Sequence, residues 1–101
     1  MVQERRIERT CVEYKGQIFK PIRVPMKNLK IQELTKEEIT SLYYADFIGL
    51  KQNEAAKKMG ISQSSYSRDL AIARKKIACA LFHGYAIQFE QEPSNEKNEE
   101  K

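Results

Sequence analysis

Seven consecutive residues, Ser62-Gln63-Ser64-Ser65-Tyr66-Ser67-Arg68, crowd hydrogen-bonding side chains into one short stretch with no acid among them. The chemistry they suit is recognition. A glutamine amide pairs with the edge of adenine, an arginine fork with guanine, and serine hydroxyls with base edges or phosphate oxygens. Bond-making has little to work with elsewhere. The single histidine, His83, has no acid beside it in sequence, no glycine-rich phosphate loop is present, and no nucleophile, base and orienter can be grouped. Cys79 and His83 stand four apart, but a metal ion needs further ligands and only Cys11 and scattered carboxylates are on offer. The expectation is no catalytic residue, no metal, no cofactor and no enzyme activity.

Presenting those side chains to a partner requires a particular pair of helices. Two helices crossing steeply through a three-residue turn need one residue at positive φ, which Gly60 can adopt without a Cβ clash, and a small residue, Ala56, where the backbones close. Ala56, Gly60, Ile61 and Tyr66 together form the pattern of a helix-turn-helix; a tight helical corner with no DNA role carries it too. The spacing predicts a short helix over Gln52–Met59, with Ala55, Ala56 and Met59 inward. The next helix starts at Ser62 as N-cap and runs to about His83, where Gly84 stops it. Its core stripe is Tyr66, Leu70, Ala73, Ile77, Ala80 and Leu81. With that stripe inward, Gln63, Ser64, Ser67, Arg68 and Ala71 take outward or flanking positions on the first turns, where free backbone amides add donors for a phosphate. Ser62, Gln63, Ser64, Ser67 and Arg68 are therefore the expected base-facing residues. Asp69, beside Leu70, is the discordant neighbour.

Upstream, "LTKEEI" is a written helix start. Thr35 can cap the Glu38 amide while the Glu38 side chain reaches back to Thr35, and Leu34 can staple onto Ile39. A helix over about Lys36–Ile48 follows, with Ile39, Leu42, Tyr43 and Asp46 on one stripe and Gly49 as its stop. Residues 1–10 read as a charged arm. Thr10–Val24 is rich in β-branched and aromatic residues, and Pro21 and Pro25 confine it to an edge strand or strap. Tyr85, Ile87 and Phe89 alternate with Ala86 and Gln88 as in a half-buried strand, which could pair with the strap around Ile18 and Phe19. Ile72, Cys79 and Phe82 make a second apolar set opposite the core stripe, to be covered by the strap or by a second copy of the chain.

A chain of 101 residues supports one small domain, and its 41% hydrophobic content with four Gly, three Pro and no Trp favours mainly helical structure. No apolar run is long enough to span a membrane, and the charged start is not a signal peptide, so the expected location is cytoplasmic. Cys11 and Cys79 are expected to be free thiols. Residues 90–101 carry five Glu against two Lys, which leaves a net +7 on residues 1–89. Such a body suits a polyanionic partner. The chain divides into a basic arm and strap (1–33), a helical domain (34–89) and an acidic tail expected to be disordered (90–101).

The segments "IFKPIRVP", "LTKEEI" and "ADFIGLKQNEAAKKMGISQSSYSRDLAIARKKIACAL" resemble the UPF0251 (DUF134) family of predicted DNA-binding proteins, whose helix-turn-helix is similar to that of region 4 of sigma factors. The resemblance covers about Phe19–Ile87. It departs at Arg23, Gln63 and Asp69, where the family carries a glycine, a basic residue and an apolar residue respectively. Taken together, the expectation is a mainly α, three-helix helix-turn-helix domain with a short N-terminal extended strap and a short C-terminal strand. It would bind double-stranded DNA as a transcriptional regulator or accessory factor, with Gln52, Arg5, Arg6, Arg23, Arg74 and Lys75 on phosphates and Ala56 and Gly60 shaping the turn. A homodimer and the transcription machinery are further candidate partners. The competing reading is a protein-interaction module that docks through the same corner without touching DNA.

Overall fold

In the computed structural model, which describes residues 10–14 and 17–90, the signals written into "LTKEEI" act as their chemistry requires. The Glu38 amide donates to Thr35 Oγ1 at 3.2 Å and the Thr35 amide to Glu38 Oε1 at 2.9 Å, opening helix α1, Lys36–Leu42. The helical path continues to Ile48 as expected. Its last six residues, Tyr43–Ile48, widen into a π-helical stretch that ends at Gly49, φ 89°. Helix α2 spans Gln52–Met59 and helix α3 Gln63–His83, closed by Gly60 (φ 72°) and Gly84 (φ 76°) in the left-handed conformation. A Cβ at Gly60 would meet nothing within 4 Å, so glycine is favoured there by φ and not by crowding.

The three helices pack around Ala55, Ala56, Met59, Tyr66 and Leu70, all buried, with Leu42, Tyr44, Leu50 and Ile61 against them. Polar groups inside this core are answered. Tyr66 donates its phenol to the Ser41 carbonyl at 2.8 Å, the Ser41 hydroxyl donates to Glu37 O at 2.7 Å, and buried Thr40 accepts from the Val12 amide at 3.2 Å. Burial pushes the Tyr66 phenol above its ordinary pKa, aided by the negative charge of Asp46.

A three-stranded sheet closes the opposite side. Strand β1, Ile18–Phe19, pairs antiparallel with strand β3, Ala86–Phe89, placing Ile18 opposite Gln88 and Phe19 opposite Ile87, the expected strap-to-strand pairing. Strand β2, Ile31–Leu34, is an element the residue pattern did not reveal; it runs parallel to β3, with Ile31 opposite Ala86 and Leu34 opposite Phe89. The order is β1-β3-β2, so β3 is central. That corrects the expected alternation: Ala86 is the fully buried residue, while Tyr85, Ile87 and Phe89 are half-buried, because a central strand is covered partly on both faces. The tail also begins later than Glu90. The Glu90 amide donates to Leu34 O at 2.9 Å and its carboxylate accepts from the Lys36 amide at 2.8 Å, so Glu90 belongs to the sheet's end. The expected disorder of the remaining tail lies outside the described residues.

Leu81 is a second correction. The core stripe of α3 holds through Tyr66, Leu70, Ala73 and Ala80, but Leu81 is 73% exposed. Ala80 is buried; one residue on, 100° around the helix, Leu81 borders the strap at Phe19–Pro21 without being covered by it. Nor does the strap cover the second apolar set, since Phe82 is 86% exposed and Ile72 also stands open among the described residues. Arg23 takes φ 70°, the only described non-glycine residue at positive φ. A glycine would adopt that conformation without strain.

Candidate nucleic-acid interface

Ser62 caps α3 through its Oγ, which accepts from the Ser65 amide at 3.1 Å. With Tyr66 and Leu70 buried beneath, Gln63, Ser64 and Arg68 are exposed and Ser67 is half-exposed on the first two turns. Ser64, Arg68 and Lys75, spaced four and seven apart, share the outward face, and Lys75 is exposed. Asp69 sits half-buried on the flank, so no exposed carboxylate interrupts residues 62–75.

The α2–α3 corner brings together two residues that lie fifteen apart. Ser67 Oγ donates to Gln52 Oε1 across the angle between the two helices. With that oxygen taken, the Gln52 amide NH2 is the end left to donate outward. Gln52 opens α2 and Ser67 sits on the second turn of α3, so one candidate phosphate donor and one base-facing side chain form a continuous ridge.

Other sequence-predicted residues fall elsewhere. Arg74 turns to the flank, where its Nη2 reaches Asp46 Oδ1 at 2.6 Å and its Nε reaches Oδ2 at 3.2 Å. This two-pronged bond holds the Asp46 carboxyl below, and the Arg74 guanidinium above, their ordinary values. Lys76, near Arg74 in sequence but not among the expected contacts, pairs with Glu38 Oε1 at 2.8 Å and donates to the Glu33 carbonyl at 3.1 Å. Arg23 is exposed on the strap, and Arg5 and Arg6 lie outside the described residues. Ala56 is buried and Gly60 turns the corner as expected. Sequence reasoning missed the Arg74–Asp46 pair: the two residues are 28 apart, and only the shared flank of α3 and the π-helical stretch joins them.

Cys79 Sγ lies 3.6 Å from His83 Nδ1, and among the described residues no three His, Cys, Asp or Glu side chains gather as a metal site would need. Neither Cys11 nor Cys79 is in a disulfide. No helix among the described residues is long and apolar enough to cross a membrane.

Comparison with known proteins places this arrangement in a group. A family model described as "Protein of unknown function DUF134" matches residues 1–92. The chain belongs to the DUF134 family. A UPF0251 protein of Methanosarcina acetivorans is 42% identical over 85 residues, covering 83% of this chain and 72% of that protein. A UPF0251 protein of Vibrio parahaemolyticus is 39% identical over 92 residues, covering 91% of this chain and 93% of its own length. Other relatives are longer: the matched region is 60% of a Halothermothrix orenii protein and 45% of one from Methanocella arvoryzae. No solved structure matches the chain.

Proposed function

We propose that this chain binds double-stranded DNA through the α2–α3 corner, a helix-turn-helix of the kind found in region 4 of sigma factors, with the first two turns of α3 in the major groove. The observation that carries the proposal is the outward face of α3: Gln63, Ser64 and Arg68 exposed above a buried Tyr66–Leu70 stripe, with no exposed acid from 62 to 75. Arg68 and Gln63 are the base readers, and Ser64 and Ser67 contact base edges or phosphate. Gln52, Lys75 and the free amides behind Ser62 hold the DNA backbone. Arg74 reaches phosphate only by giving up Asp46. The basic body supplies the salt-dependent part of affinity, and a role in regulating or assisting transcription follows from where such a reader acts.

Arg68→Ala should cost about 1–3 kcal/mol of binding to a preferred duplex while leaving the fold intact. Ser64→Glu should weaken every duplex by setting a negative charge against phosphate. Mobility shifts on duplexes selected from a random pool measure both. Unchanged shifts for the two variants at moderate salt would sink the proposal. A protein-interaction module is the second reading, favoured by exposed Leu81 and Phe82 on the C-terminal half of α3. Salt separates the two, since phosphate contacts weaken steeply as salt rises and an apolar interface does not.

A further inference from the structure

Between the Tyr43–Ile48 π-helical stretch, α3 and the sheet lies a cleft of about 440 Å³. That falls within the range of small-molecule sites, about 300–1,000 Å³. Two aromatic pairs line it. Tyr43 and Phe47 stack at 5.5 Å on the helical wall, and Phe19 and Phe89 stand 5.8 Å apart on the sheet wall. Phe47 is 78% exposed, an apolar cost that a bound ring would relieve.

The charge lining the cleft is the opposite of the body's. Among the described residues Asp46 is the one charged residue lining it, in a chain whose residues 1–89 carry a net +7. Arg74 takes one site on each Asp46 oxygen, and a carboxylate offers about four, so a second donor can be accepted without displacing the first. Aromatic faces attract cations as well as rings. Size, two aromatic pairs and a carboxylate with acceptor capacity left beside Arg74 converge on one ligand chemistry.

We propose that this cleft binds a planar aromatic cation, its rings between the Tyr43–Phe47 and Phe19–Phe89 pairs and its positive charge against Asp46. No base-facing residue of α3 lines the cleft, so the site stands or falls apart from the DNA proposal. The test is a fluorescence titration of the full chain, without DNA, using proflavine as the cationic probe and 8-anilinonaphthalene-1-sulfonate as an anionic apolar probe. Proflavine should bind and saturate, and Asp46→Asn should weaken it at least about tenfold, as loss of a charge pair beside aromatic rings would. Arg74→Gln should strengthen proflavine binding several-fold, because it removes the positive charge that neutralises Asp46 and repels the probe; general damage to the fold would not tighten binding. The anionic probe should show neither trend. Absent proflavine binding, equal affinity for both probes, or an Arg74→Gln variant that binds proflavine no better than the parent would each overturn the site.

Discussion

In the first half of α3 the fully buried side chains are large, Tyr66 and Leu70, and the outward ones are Gln63, Ser64 and Arg68; in the second half the fully buried ones are Ala73 and Ala80, with Ile77 part-buried between them, and the outward set includes Leu81 and Phe82. The same helix therefore docks on two different surfaces. Its first half packs in the helical core with α2, where Tyr66 reaches the Ser41 carbonyl of α1. Its second half lies beside β2 as well as α1, since Lys76 bonds both the Glu33 carbonyl and the Glu38 carboxylate. On the open side the difference is one of chemistry: hydrogen-bonding groups before residue 70, apolar groups after 80. One continuous helix can thus present a polar reading head and keep an apolar end for something else.

The largest effect is expected on the inward side of α3. Tyr66→Ala removes a fully buried ring and leaves the Ser41 carbonyl without its donor, so thermal or denaturant unfolding should show a loss of about 3–5 kcal/mol. Ala80→Leu attacks the other half by overfilling a fully buried position, with an expected loss of about 1–3 kcal/mol. If Ala80→Leu proved neutral, the close packing around Ala80 would be wrong.

Outward substitutions should separate from these. Phe82→Ser alters an exposed ring and should shift stability by no more than about 0.5 kcal/mol, measured by the same melts. A drop comparable to that of Tyr66→Ala would mean that the C-terminal apolar face is covered in the folded protein. The smallest effect concerns Asp46. The Arg74 hydrogen bond lowers its folded pKa, so the pair's contribution is complete above the ordinary value of 3.8 and is lost as pH falls through the lowered one. Asp46→Asn should flatten the acid end of a Tm-against-pH profile below about pH 4, modestly, because both side chains are about half exposed.

The candidate reading face was largely legible before any tertiary information. Ser62 as cap, Gly60 as turn and Tyr66 and Leu70 as the inward pair place Gln63, Ser64 and Arg68 outward by helical geometry alone. Arg74 and Lys76 were not legible in the same way. Their choice of Asp46 and Glu38 over solvent depends on which elements lie alongside α3, and nothing within four residues of either encodes that.

Local chemistry determined the three helices, their caps at Thr35 and Ser62 and their glycine stops at Gly49, Gly60 and Gly84, because each of those decisions is made between residues a turn apart. The tertiary structure alone decided that Ile31–Leu34 is a strand, that it runs parallel to a segment more than fifty residues on, that Leu81 faces solvent, and that the stripe carrying Asp46 borders a cleft. A four-residue strand gains its hydrogen bonds only once its distant partner is in place, and a side chain is buried only if another element covers it.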